Sequence, residues 1–85
     1  MKSTKVYSTQ NCPICVKAKN VLTKWGIDYE EVRVDESREG LKEMSELTNG
    51  ATTVPQITIE GKWIGGFSEL TELHMDGDLD HLISN

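Results

Sequence analysis

Residues 5–15 read Lys5-Val6-Tyr7-Ser8-Thr9-Gln10-Asn11-Cys12-Pro13-Ile14-Cys15: a β-prone segment, a polar break, then two cysteines at the mouth of a helix. Pro13 suits the first helical position, where its missing N–H leaves no hydrogen bond unmade. Downstream, Cys15, Ala18, Leu22 and Trp25 recur at steps of three and four, the apolar face of a helix. Gly26 is the natural stop. Cys12 therefore stands just ahead of the first helical turn, and Cys15 one turn deeper.

The same reading extends outward. Residues 28–34, with Tyr29, Val32 and Val34, form a second strand, and Ser37 caps a helix whose Leu41, Met44 and Leu47 share a face. Asn49-Gly50 ends that helix. Residues 52–59 are β-branched and apolar around Pro55, and Glu60-Gly61 turns the chain into Lys62-Trp63-Ile64 as a hairpin. Gly65-Gly66 breaks this strand, a helix using Leu70 and Leu73 begins near Ser68, and residues 78–83 suit a final helical turn. The order is β-α-β-α-β-β-α. A strand, helix and strand of this length imply a parallel right-handed crossover, and the hairpin adds an antiparallel edge. The expected class is α/β, one small mixed sheet with helices on both faces.

Eighty-five residues suffice for one domain, residues 1–85, with no second core. Hydrophobic residues at 36% and charged residues at 27% fit a globular chain, not a disordered one. No apolar run approaches the roughly 20 residues that span a bilayer, and residues 1–9 lack a signal-like stretch, so no membrane association and a cytoplasmic location are expected. The net charge of −5 hides an asymmetry. Lys2, Lys5, Lys17, Lys19 and Lys24 fill a first 25 residues without Asp or Glu, whereas four cations face all fourteen acids in the remainder. An acidic chain argues against nucleic acid as a partner. The basic stretch is either an ordinary solvated face or serves the cysteines inside it.

The unpaired N–H groups at a helix start stabilise an anion, so Cys12 should ionise more readily than a free thiol. Cys15 can reach it to form a disulfide. An attacking thiolate with a resolving thiol is the minimum machinery of disulfide exchange. Two other readings compete. A zinc site normally needs four ligands, and His74 and His81 do not supply finger-like spacing, so no metal is expected. Two inert core cysteines would suit Cys15 but not Cys12 at a loop tip. The histidines read as surface or partly packed residues.

Tyr7 through Cys15, Thr53-Val54-Pro55 before a strand, and Ile64-Gly65-Gly66 opening the last helix together resemble a dithiol glutaredoxin, almost end to end. The resemblance implies a thioredoxin-like fold with a four-stranded mixed sheet, and a monomer. It implies a redox enzyme that reduces glutathione mixed disulfides and protein disulfides, with glutathione as co-substrate. By the same resemblance Cys12 is the nucleophile and Cys15 the resolving thiol. Pro55 is the cis-proline, and Val54, with Thr53, offers backbone to the cysteinyl part of glutathione. Gly65 and Gly66 permit close approach of the backbone to glutathione; beyond them Phe67, Ser68 and the helix amides receive the γ-glutamyl carboxylate, and Glu69 its ammonium. Read without the family, Ser68 is simply a helix cap.

Three positions depart from the family pattern: Ile14 stands for the usual Tyr, Thr9 for a Lys that meets a glutathione carboxylate, and Glu69 for Asp. Ala51 lies where a cation is common. These changes leave room for a redoxin that donates electrons to ribonucleotide reductase and is recharged by a thioredoxin reductase. An iron–sulfur carrier is a further reading, although such members mostly carry a single-cysteine motif.

Overall fold

The computed structural model describes residues 4–77. Its elements are β1 (Thr4–Ser8), α1 (Pro13–Lys24), β2 (Glu30–Arg33), α2 (Arg38–Leu47), β3 (Gln56–Ile59), β4 (Lys62–Gly65) and α3 (Phe67–Met75). The element order read from the sequence holds, with β2 opening at Glu30 and β3 at Gln56, later than the stretches expected from residues 28 and 52. The final turn expected over residues 78–83, and with it His81, lies outside the described residues.

The four strands lie in the order β2-β1-β3-β4. β1 pairs with β2 in parallel, from Lys5 opposite Glu30 to Ser8 opposite Arg33, and with β3 antiparallel, Val6 opposite Ile57. β3 and β4 form the hairpin, joined by Glu60 and Gly61 at φ 55° and 80°. Positive φ at both central residues matches the right-handed twist of the flanking strands, which is why a two-residue loop closes here.

One face of the sheet packs on α1 and α3 through Val6, Ala18, Leu22, Ile57, Ile59 and Leu70, all fully buried. The other face packs on α2 through Tyr7, Val34 and Met44. Alternation along β1 explains the split, since neighbouring side chains point to opposite faces. The Tyr7 hydroxyl donates to Glu43, which also takes the Lys5 ammonium at 3.1 Å. Burial, then the hydrogen bond to Glu43, holds the Tyr7 phenol protonated far above its ordinary range. His74 stacks on Trp25 with ring centroids 3.8 Å apart, tying the end of α1 to α3.

The α2 face differs from the sequence reading. Leu41 and Leu47 are 48% and 39% exposed, and the buried line is instead Gly40, Met44 and Thr48. The cause is close approach: a Cβ at Gly40 would lie 2.6 Å from Val32 Cγ1. With the helix this near the sheet at Gly40, the contacting ridge runs at steps of four, and the leucines on either side turn outward. Ser37 caps α2 as expected, its hydroxyl accepting from the Gly40 N–H at 3.0 Å.

Gly40→Ala should therefore lower stability despite the better helix former. Overpacking costs about 1–3 kcal/mol, against a propensity gain of about 1 kcal/mol. The check is the urea midpoint: it should fall with an unchanged slope, and a higher midpoint would show that Val32 yields freely.

Candidate active site

The β1–α1 connection delivers the cysteines. Cys12 is the N-cap of α1 with extended backbone, φ −130° and ψ 97°, and its sulfur accepts from the Cys15 N–H at 3.0 Å. Cys12 and Cys15 are joined in a disulfide, with Cα atoms 5.2 Å apart. Cys15 is fully buried under the helix, whereas Cys12 is half-buried and faces out. That division suits a reacting sulfur at the surface and a reserve sulfur behind it.

Among the described residues, two of the amino-terminal lysines are engaged away from this pair. Lys5 is bridged to Glu43, Lys19 to Glu31 at 2.8 Å, and Lys24 sits at the far end of α1. Of the two forces expected to stabilise the Cys12 thiolate, the helix amides carry the argument. Lys17 is exposed on the same helix, one turn beyond Cys12.

A second loop closes over the sulfurs. The Val54–Pro55 peptide bond is cis, as the resemblance implies. The Val54 carbonyl oxygen lies 3.9 Å from Cys12 Sγ. Pro55 is buried, Val54 half-buried and Thr53 exposed, so the loop shows backbone and a threonine side chain to solvent beside the disulfide. Its position is set from two sides. A Cβ at Gly66 would meet the Pro55 carbonyl oxygen at 3.1 Å, so the start of α3 lies almost on the loop. Gln56 turns back to hold Thr53: its Nε2 donates to the Thr53 carbonyl at 3.0 Å and to Oγ1 at 3.2 Å.

The α3 start corrects one sequence reading. Gly66, not Ser68, is the N-cap, and the Glu69 carboxylate reaches back to accept the Gly66 N–H at 2.8 Å. Ser68 is exposed inside the first turn and does not cap. Glycine wins the position because a side chain there would press on Pro55. Gly65, at φ 113°, admits Glu69 beside it, where a Cβ would come within 2.7 Å of Glu69 Cγ. Phe67 is half-buried against the core of α1 and the sheet. Gln56, Trp63, Ile64, Gly65, Gly66 and Glu69 line a cleft of about 430 Å³ at this corner.

On the other flank, Thr9 is half-buried, Gln10 is exposed and Ile14 is 42% exposed as an apolar rim. The Gln10 N–H donates to Asp35 at 3.0 Å, and Asp35 is forked onto Arg33 at 2.9 and 2.8 Å. Arg33 also pairs with Glu36 at 3.5 Å, so this cation of the Thr9 flank is engaged by two carboxylates. Ala51 donates its N–H to Thr48 Oγ1 and carries no charge. Sequence reading missed Gln56, Trp63 and Asp35. The available signal was a polar Gln56 inside an apolar β-branched run. Among the described residues, no cluster of three or more His, Cys, Asp or Glu is placed to hold a metal, and no helix is long and apolar enough to cross a membrane.

A disulfide between a half-buried sulfur at a helix start and a fully buried sulfur behind it is built to be exchanged with a partner. The chain is thus a thiol–disulfide oxidoreductase of the thioredoxin-like class. The glutaredoxin family model matches residues 4–64. A glutaredoxin of Neisseria meningitidis serogroup A is 39% identical over 85 residues, covering 99% of each chain. Glutaredoxin 3 of Escherichia coli K12 is 36% identical over 83 residues, covering 98% of this chain and 99% of that one. Among solved structures, a buckwheat glutaredoxin–glutathione complex superposes with a TM-score of 0.84 at 28% identity, over 98% of this chain and 77% of that one. The chain belongs to the glutaredoxin family.

Asp35 gives a pH test of the Gln10 tether. The Arg33 hydrogen bond first, then the Gln10 N–H, hold its carboxyl at about 2, below the ordinary 3.8. A depressed folded value means the tether's contribution is present above the unfolded value and disappears as pH falls through about 2. Carboxyl carbon NMR should show that midpoint, and Arg33→Gln should move it upward. An Asp35 midpoint near its ordinary value would show that the fork does not hold in solution.

Proposed function

We propose that this protein is a glutathione-dependent disulfide reductase, acting on glutathione mixed disulfides and on protein disulfides. The observation that carries the reading is the Cys12 sulfur at the α1 amides, 3.9 Å from the open Val54 backbone. The buckwheat relative holds glutathione, as its complex records. A tripeptide can add to the Thr53-Val54 edge as a short strand does, placing its sulfur at Cys12. Gly66, its own N–H held by Glu69, lets the ligand approach the backbone, and Phe67 and Ser68 offer N–H groups to the γ-glutamyl carboxylate. Glu69 has one oxygen on Gly66 and a second for the ammonium. Ile14 supplies the apolar rim.

The exchange balances without any other cofactor. Cys12 thiolate attacks the glutathione sulfur of a mixed disulfide, and the substrate leaves as a thiolate that takes a proton from water. A second glutathione thiolate then attacks the bound glutathione sulfur, releasing glutathione disulfide and restoring the Cys12 thiolate. With a protein disulfide, Cys12 forms the mixed disulfide and Cys15, deprotonated, attacks Cys12 Sγ. The reduced protein departs and the Cys12–Cys15 disulfide remains for two glutathiones to reduce. This cycle suits a reducing compartment, and the cytoplasm is the location we propose.

The decisive experiment is turnover of a small glutathione mixed disulfide, coupled to glutathione reductase, in wild type and two variants. Cys12→Ser should abolish turnover. Cys15→Ser should keep it but lose most reduction of protein disulfides. In the Cys15→Ser variant, thiolate absorbance should show Cys12 ionising well below the free value of about 8.5. Activity in Cys12→Ser would overturn the assignment of roles, and efficient recharging by thioredoxin reductase but not glutathione would replace the proposed reductant.

The Thr9 flank makes a second prediction. With Arg33 engaged, the glycine carboxylate of glutathione meets neutral groups, and a charge-assisted bond is roughly twice as strong as a neutral one. Thr9→Lys should lower the KM for glutathione about fivefold, or about 1 kcal/mol. The gain should shrink as salt is raised. An unchanged KM would mean that Lys17 or Lys42 already meets that carboxylate, or that the inserted lysine is captured by Asp35.

A further inference from the structure

A glutathione bound as proposed lays its backbone along the Thr53-Val54 edge, and the role of Gln56 in the site rests on that mode of binding. Thr53 is exposed, and Val54, half-buried, packs against the Tyr7, Val34 and Met44 cluster, so the packing of the edge rests on Val54. The edge is also held by a side chain that touches neither sulfur. Gln56, 6% exposed at the first position of β3, folds back with both ends of its amide engaged. Its Nε2 donates to the Thr53 carbonyl at 3.0 Å and to Thr53 Oγ1 at 3.2 Å, and its Oε1 accepts the Trp63 indole N–H at 2.8 Å.

This chain of bonds has one workable direction. An indole N–H only donates and a carbonyl only accepts, so a flipped amide would set donor against donor and acceptor against acceptor. Trp63 lies on β4, and its half-exposed ring forms a wall of the cleft shared with Gly65, Gly66 and Glu69. Gln56 thus ties the edge facing Cys12 to the strand that leads into α3. The two parts of the site that bind the cysteinyl and γ-glutamyl portions of the tripeptide are joined through one buried amide.

We propose that Gln56 is a positioning residue, oriented by Trp63, that fixes the Thr53-Val54 backbone for pairing with the glutathione moiety. It takes no part in the exchange itself. Its effect falls on binding of the glutathione half of the substrate and not on the attack by Cys12. Three variants separate its bonds. Gln56→Leu keeps most of the volume and removes all three. Gln56→Glu keeps an acceptor for Trp63 but turns an acceptor toward the Thr53 carbonyl. Trp63→Phe keeps an aromatic side chain, one ring smaller, and removes the indole donor.

The test measures KM and kcat on a glutathione mixed disulfide, with NMR order parameters of the Thr53 and Val54 amides. Gln56→Leu should raise KM about tenfold, the factor for roughly one hydrogen bond of lost binding, with a smaller change in kcat. The two order parameters should fall. Gln56→Glu should resemble Gln56→Leu, and Trp63→Phe should give a smaller rise in KM. A fall in kcat at constant KM overturns the proposal, as does a lower melting temperature with KM and order parameters unmoved. So does a Gln56→Glu variant equal to wild type. Should wild type not prefer the glutathione mixed disulfide over a cysteine one, the glutathione reading fails instead. The order parameters then decide the positioning role alone: reduced values uphold it, unchanged values overturn it.

Discussion

Everything at the site hangs on β1 being paired along both edges. Its parallel partner β2 and antiparallel partner β3 fix its register, and Val6, Tyr7 and Ser8 are fully buried between the helix layers. A strand so held cannot slip by one residue without sending Tyr7 into the α1 side and Val6 toward α2. Because β1 is fixed, the loop that follows it is aimed, and Cys12 arrives at the α1 amides. β3 is fixed by the same strand, so Pro55 and the Val54 carbonyl arrive opposite that sulfur. The two halves of the site are 42 residues apart in sequence, brought together by one shared strand.

Charge plays a smaller part than the sequence suggests. An amino-terminal third with five lysines and no acids invites the idea of an electropositive field at the cysteines. In the fold, acids from later in the chain come back to meet them: Glu43 from α2 reaches Lys5, and Glu31 from β2 reaches Lys19. Glu31 also accepts from the Ser8 hydroxyl at 2.6 Å, and its carboxyl is held below its ordinary range by Lys19 first and Ser8 second. Two of the five lysines are thus drawn into local pairs. The contribution that the fold fixes at Cys12 is the dipole of the helix start, which neither titrates nor moves.

The elements were legible because their signals are local. Pro13 and Gly26 bracket α1, Ser37 opens α2, and Glu60-Gly61 makes a two-residue hairpin, each for a reason that lies within a few residues. The cysteine pair was legible for the same reason. Two readings needed the third dimension. Leu41 and Leu47 satisfy helical periodicity, yet the helix docks on Gly40, whose lack of a side chain is invisible to a count of apolar residues. Ser68 has the chemistry of a cap, but Gly66 takes the position, where a Cβ would press on the Pro55 carbonyl oxygen at 3.1 Å. Close backbone approach is the common cause, and glycine marks it only once the partner is known.

Thr48 and Gln56 in the core, and Glu69 and Asp35 at the surface, have a shared use that composition hides. A chain of this size buries only about 60% of its unfolded surface and has little stability to spare. Yet it buries Ser8, Thr48, Gln56 and Thr58. Among the described residues, no buried side-chain nitrogen or oxygen lacks a hydrogen-bond partner. Thr48 bonds the end of α2, donating to the Met44 carbonyl at 2.6 Å and accepting from Ala51. Gln56 bonds Thr53, Glu69 bonds Gly66, and Asp35 bonds Gln10. Each of these bonds runs from a side chain to backbone at the end of an element or in a loop, where the regular ladder stops. A net bond of this kind contributes only about 0.5–1.5 kcal/mol, less than burying a leucine. Its value lies in direction. Apolar packing brings the loops close, and the directional bonds decide which backbone atoms face the sulfur.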